Sequence, residues 1–172
     1  MKPAAWAEVL LNGLWWHPRR SALSRALGPL SWLYGTLYRA HRARTRPARA
    51  PVPVIVVGNL VAGGAGKTPT VIALVQALTR CGMHAGVVSR GYGRRGTAPR
   101  GVSAGCQAAE VGDEPWLIQR RTGAPVWVGR DRLAAARALC HQHPEVDLLV
   151  LDDGLQHHAL AHDAAVVVFD EI

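Results

Sequence analysis

The chain has 172 residues, 49% hydrophobic and 19% charged, with a formal charge of +8. That length supports one ordinary domain with a real core, and the composition excludes a disordered chain. The charge is lopsided: residues 1–50 hold nine Lys or Arg and a single acid, Glu8, whereas residues 51–172 hold eleven of each sign. The basicity therefore belongs to an N-terminal arm, 1–50, suited to an anionic partner, and not to the globular part, 51–172.

Three cysteines, Cys81, Cys106 and Cys140, are an odd number without ligand-like spacing, which suits reduced thiols in a cytosolic compartment. The histidines, among them His141, His143, His157, His158 and His162, lack partners at zinc-ligand spacing. No small-residue cleavage site follows a short apolar core, so a signal peptide is not expected. The longest uncharged stretch of the arm lies between Arg25 and Arg39, thirteen residues that include Gly28, Pro29 and Gly35. As a helix it would span roughly 20 Å, short of the ~30 Å hydrocarbon core.

In chain order, residues 1–45 read as helical pieces. Trp6, Val9, Leu10, Leu14 and Trp15 recur at three- and four-residue spacing, and Leu23, Leu27, Leu30, Tyr34 and Leu37 follow after His17-Pro18. Arginines flank both stripes, and four of the six tryptophans lie here. The pattern suits a helix lying in a membrane surface and, equally, a helix packed on its own domain. Nucleic acid fits less well, since aromatics and basic residues are not interleaved on a known module. A proline-bounded connector, Arg42–Pro51, leads to a continuous β-branched strand, Val52–Val57.

The run from Gly58 to Pro69 then carries the first chemical signal: glycines, then Gly66-Lys67-Thr68, opening an apolar-periodic helix over 68–80. Glycines let backbone N–H groups approach an anion, and the helix adds its positive end. Lys67 would reach β- and γ-phosphates, and the Thr68 hydroxyl would sit on Mg²⁺. In the general pattern G-x-x-x-x-G-K-[ST] the first glycine falls at position 61, which here is Val61; Gly58 and the pair Gly63-Gly64 lie around it.

His84–Ser89 reads as a second strand. The loop Arg90–Gly96 follows, whose Arg90, Arg94 and Arg95 suit either phosphate or solvent. Residues 97–110 read as irregular or a weak strand. Val111–Gln119 starts a short helix, with Asp113 and Glu114 at its N-terminal end. Ala124–Val128 is a strand, Gly129–Arg132 leads into a helix ending near His141, and Val146–Leu151 is a buried strand. A turn at 160–162 precedes a last strand, Ala164–Phe169. Strands alternating with helices predict a parallel, doubly wound α/β sheet. The second chemical signal is Asp152-Asp153-Gly154 at a strand's carboxyl end, followed by Gln156 and His157. After a Gly-Lys-Thr loop, an acid there is expected to hold Mg²⁺.

Five motifs occur in order: Val57–Pro69, Ser89–Arg94, Val111–Glu114, Val128–Arg132 and Asp152–His157. Together they resemble tetraacyldisaccharide 4′-kinase, the lipid A 4′-kinase family of Gram-negative bacteria, from about Pro51 to the end and more loosely through the arm. The family's own loop shares the displaced first glycine. The resemblance implies a P-loop NTPase-like α/β fold, a parallel sheet flanked by helices and preceded by a helical membrane-surface arm. It implies an ATP- and Mg²⁺-dependent kinase at the cytoplasmic face of the inner membrane. The reaction would phosphorylate the 4′-hydroxyl of an acylated disaccharide lipid, giving lipid IVA, with no nucleic acid and no obligate protein partner.

By motif, Gly58, Asn59, Gly63, Gly64, Ala65, Gly66, Lys67 and Thr68 would hold the nucleotide. Thr68, Asp152 and Asp153 would serve the metal, Asp113 would be the general base for the sugar hydroxyl, and Lys67 would hold the transferring phosphate. Arg90, Glu114, Arg132, Gln156 and His157 would support them. The family continues for about as many residues again, so a C-terminal lobe is expected beyond Ile172, and the resemblance does not imply turnover by the 172 residues alone. A reading from another class is a membrane-associated nucleotide-binding switch; the absence of a guanine-reading Asn-Lys-x-Asp stretch counts against a GTPase.

Overall fold

The computed structural model describes residues 28–44, 47–59, 66–94, 96–155 and 159–169. The chain divides into two compact units, Met1–Thr45 and Arg46–Ile172.

In the first unit the described part is one helix, α1 (Gly28–Arg44). Leu30, Leu33, Tyr34, Leu37 and Tyr38 are exposed. Their three- and four-residue spacing puts them on one stripe, and the Tyr34 and Tyr38 rings stack with centroids 6.3 Å apart. No helix among the described residues is long and apolar enough to cross a membrane.

The second unit is a six-stranded sheet in the order β3-β4-β2-β5-β1-β6. Its strands are β1 (Val54–Asn59), β2 (Ala85–Ser89), β3 (Arg100–Val102), β4 (Val126–Val128), β5 (Leu148–Asp152) and β6 (Ala164–Val168). Every pairing is parallel except β3 with β4. Helix α2 (Lys67–Arg80) links β1 to β2; the short α3 (Ala108–Val111) and α4 (Asp113–Thr122) lie between β3 and β4; α5 (Arg132–Gln142) links β4 to β5.

Side chains alternate across the pleat, so two cores form. Val57, Val87 and Val150 pack with Val71, Val75 and Ile118 of α2 and α4. Val56, Val88, Leu149 and Leu151 pack with Ala135, Ala136 and Leu139 of α5 on the other face. This explains why β5 is apolar without alternation: both of its faces are covered. A side chain at Gly86 would meet Leu139 Cδ2 at 2.7 Å, so the glycine sets how closely α5 approaches.

β1 begins two residues later than its apolar run, after Pro51 and Pro53, where the Val54 N–H donates to Asp163 Oδ2 at 2.9 Å. It also continues past the first glycine: Gly58 and Asn59 pair with Val167 and Val168 of β6. The edge strand β3 is antiparallel, which is the one departure from an all-parallel sheet. β6, at the opposite edge, is apolar yet largely exposed.

Candidate active site

The carboxyl ends of β1, β2 and β5 lie side by side, the position where open α/β sheets bind ligands. Gly66, at φ 70, turns the chain into α2. Among the described residues no side chain caps that helix, and its first turn holds no acid; its positive end suits an anion. Pro69 sits within the first turn, where a missing N–H costs nothing.

Lys67 extends from this turn to β5, with Nζ 2.8 Å from Asp153 Oδ1. Asp153 is half-exposed and holds the left-handed conformation, φ 53, unique among described non-glycine residues. Its carbonyl accepts from Arg132 Nη2 at 3.0 Å. Asp131 caps α5 by accepting from the Ala134 N–H, which sets Arg132 at the first helical position, facing the Asp153 turn. Arg132 is only 5% exposed. Burial pushes its guanidinium below the ordinary range; Asp153 opposes that, and the charge of Arg90 adds to it.

Asp152, one residue earlier, is 1% exposed. Its Oδ2 accepts from Ser89 Oγ at 2.9 Å. Its Oδ1 has no donor among the described residues. Burial raises this carboxyl to about 6; the Ser89 hydrogen bond works against the rise, and the charges of Glu114 and Asp153 add to it. A buried carboxylate oxygen without a donor, beside a second carboxylate, fits a dication. Among the described residues no cluster of three or more His, Cys, Asp or Glu side chains could hold a metal ion. Asp152 and Asp153 are the donor set that Mg²⁺ commonly takes, one or two carboxylates completed by phosphate oxygens and water.

The other wall begins at Gly91, φ 67, where a Cβ would lie 2.9 Å from the Val111 carbonyl oxygen. Gly112, φ 97, ends α3 and starts α4 at once: its N–H donates to the Ala108 carbonyl, and its own carbonyl accepts from Trp116. A Cβ there would stand 3.0 Å from the Tyr92 carbonyl oxygen. Asp113 and Glu114 thus occupy the first turn of α4, both solvent-exposed.

These groups surround one cavity of about 280 Å³. Lys67, Asp152 and Asp153 line one side, and Arg90, Asp113 and Glu114 the other. Ser89, Tyr92 and Pro115 complete it. The volume is at the low end for a small-molecule site, enough for the reacting end of a triphosphate and not for an acylated disaccharide.

Ser89 and Tyr92 belong to the Ser89–Arg94 motif but have no site role assigned from sequence; a serine closing a buried strand beside an Asp-ending strand is the signal for the first. Thr68 is half-buried in the first turn of α2, and Gly58 and Asn59 end β1. Arg94 braces its own loop, donating to the Ala98 carbonyl at 2.6 Å, which accounts for it without a phosphate. Gly63, Gly64, Ala65, Arg95, Gln156 and His157 lie outside the described residues.

Residues 23–172 match the family model for tetraacyldisaccharide-1-P 4′-kinase, LpxK. The chain belongs to this family. Tetraacyldisaccharide 4′-kinase of Dechloromonas aromatica is 54% identical over 152 residues, covering 88% of this chain and 46% of the relative. The protein of the same name from Leptothrix cholodnii is 57% identical over 155 residues, covering 87% and 44%. The crystal structure of LpxK from Aquifex aeolicus in complex with ATP superposes with a TM-score of 0.70 at 32% identity, covering 84% of this chain and 48% of that one. The chain therefore spans about half the length of these kinase-family relatives.

Proposed function

We propose that this chain is the nucleotide-binding part of a kinase that transfers the γ-phosphate of ATP to the 4′-hydroxyl of a tetraacyldisaccharide 1-phosphate, giving lipid IVA. The observation that carries this reading is the convergence of Lys67, Asp152, Asp153 and Asp113 on one cavity in a chain of this family. Phosphoryl transfer asks mainly for positioning and charge neutralisation, and each wall offers one part of that.

On the sheet side, the Lys67 ammonium and the α2 N-terminus neutralise the β- and γ-phosphates. Thr68, Asp152 and Asp153 would hold Mg²⁺, which when bound supplies further neutralisation of the phosphate oxygens. On the α4 side, the Asp113 carboxylate accepts the proton of the 4′-hydroxyl as its oxygen bonds to the γ-phosphorus. The bond from that phosphorus to the β,γ-bridging oxygen breaks, and ADP leaves. Glu114, Arg90 and Arg132 keep the local charge balanced, and Gln156 and His157 belong to the same rim by motif. Residues 51–172 carry this chemistry, and residues 1–50 bring it to the inner-membrane surface, where an acylated substrate resides.

The exposed stripe of α1 and the basic composition of the arm support that last assignment. Placing glutamates at Leu33 and Leu37 is expected to abolish flotation of the complete protein with anionic vesicles; flotation equal to wild type would remove the arm from membrane binding.

The reaction is tested by incubating the complete protein with Mg²⁺, γ-labelled ATP and the tetraacyl disaccharide in detergent. Label in the lipid is expected, with none from the Lys67→Ala variant. Nucleotide binding with no lipid label would favour a nucleotide-dependent switch instead.

A further inference from the structure

Lys67 Nζ is 2.8 Å from Asp153 Oδ1. If the cavity takes a magnesium–nucleotide, as proposed above, both groups have work elsewhere: the ammonium at the phosphates, the carboxylate at the metal. They cannot keep this contact and do that work. An ammonium on Asp153 and a dication on the same carboxylate would also repel each other at a few ångströms. The geometry points to Lys67 standing in for the divalent cation at Asp153 in the nucleotide-free chain, so that nucleotide and metal bind with positive coupling.

Three observations say which partner moves. Asp153 is fixed by its left-handed backbone and by the Arg132 hydrogen bond to its carbonyl. The Gly154 N–H that follows donates to the Val57 carbonyl at 3.4 Å, tying the turn to β1. Lys67 is a flexible chain on the first turn of α2, 21% exposed against 58% for Asp153, so the pair is reached by solvent and weak enough for a polyphosphate to break.

Phosphates draw Lys67 away, and Asp153 becomes available next to the undonated Asp152 Oδ1. Metal bound there in turn releases Lys67 for the phosphates. The coupling is reciprocal by thermodynamic necessity. Lysine in this role keeps the two aspartates from facing each other uncompensated before ligands arrive.

The test uses Mn²⁺ alone, followed by electron paramagnetic resonance of the free ion, on the complete protein. Lys67→Met and Lys67→Gln are expected to bind Mn²⁺ about tenfold more tightly than wild type without nucleotide. Adding Asp153→Asn to Lys67→Met should erase that gain. Asp153→Asn alone should bind ATP in metal-free buffer about tenfold more tightly than wild type, because its lysine is already free. Equal Mn²⁺ affinity in wild type and both Lys67 variants would overturn the inference, as would a gain that survives Asp153→Asn. A non-hydrolysable ATP analogue in excess Mn²⁺ separates the two levels. Wild type that fails to bind it removes the kinase reading and this inference together; binding with Mn²⁺ affinity indifferent to residue 67 removes the inference alone.

Discussion

Asp152 and Asp113 line the same cavity, yet Asp152 is sealed at the end of a covered strand while Asp113 stands in solvent on the first turn of α4. The β5 side is held by backbone register, the Ser89 hydrogen bond and Arg132 beneath the turn. The α4 side is anchored through buried Ile118 and the Trp116 Nε1–H bond to the Cys106 carbonyl, while its first turn is set by the positive-φ glycines Gly91 and Gly112 and the fit of the Gly91–Tyr92 loop against Val111 and Gly112. The difference teaches how the work is divided. A buried acid whose Oδ1 has no donor among the described residues is costly to ionise, and on the proposed function it would serve the metal. On the proposed function, the solvated Asp113 at a helix start would face the acceptor hydroxyl.

The largest expected effect falls on chemistry. In the complete protein, Lys67→Ala should lower transfer by roughly a thousandfold or more, and Asp113→Ala by about a hundred- to ten-thousandfold, read from label in the lipid. Full activity in the Asp113 variant would end the general-base assignment.

The next effect is on stability and falls on the β5 wall alone. The Asp152 carboxyl titrates near 6 in the folded chain, against an ordinary value of 3.8. Between those values the folded chain holds the extra proton, so stability in metal-free buffer falls as pH rises from about 4 to about 6 and levels off above. The penalty is roughly 3 kcal/mol at neutral pH. Asp152→Asn should therefore stabilise the chain by about 2–3 kcal/mol at pH 8 and flatten that slope, seen in denaturant unfolding, while it impairs metal binding. Asp113→Asn should stay within about 0.5 kcal/mol of wild type.

Smaller again is the hinge of the second wall. Gly112→Ala, forced to adopt φ 97 with its Cβ against the Tyr92 carbonyl, should cost about 1–3 kcal/mol and lower Tm. Tyr92, 88% exposed, should show no change beyond about 0.5 kcal/mol when replaced by alanine.

The order of the main strands and helices was legible because the strands β1, β2, β4 and β5 are short, continuous apolar runs and the helices between them are longer segments bounded by turn residues. Lys67, Asp152 and Asp153 were legible because their spacing to strand ends and helix starts is local, whereas Asp113 was singled out only by the family resemblance. β3 was not fixed: residues 97–110 read as irregular or a weak strand, and Arg100–Val102 become one through pairing with β4, which is distant in sequence. Nor was α3, whose four residues depend on Gln107 and Glu110 capping each other. The contrast between Asp152 and Asp153 was hidden for the same reason. Adjacent acids look alike in a sequence, and only the neighbouring strand's Ser89 and the turn after β5 set them apart.

The most direct test of the two-wall account titrates a non-hydrolysable ATP analogue with Mg²⁺ into wild type, Lys67→Ala and Asp113→Ala of the complete protein by calorimetry. Asp113→Ala is expected to bind within about twofold of wild type although its transfer is lost, whereas Lys67→Ala is expected to bind at least tenfold more weakly, of the order of a lost charge-assisted contact. Nucleotide binding weakened as much by Asp113→Ala as by Lys67→Ala would contradict it.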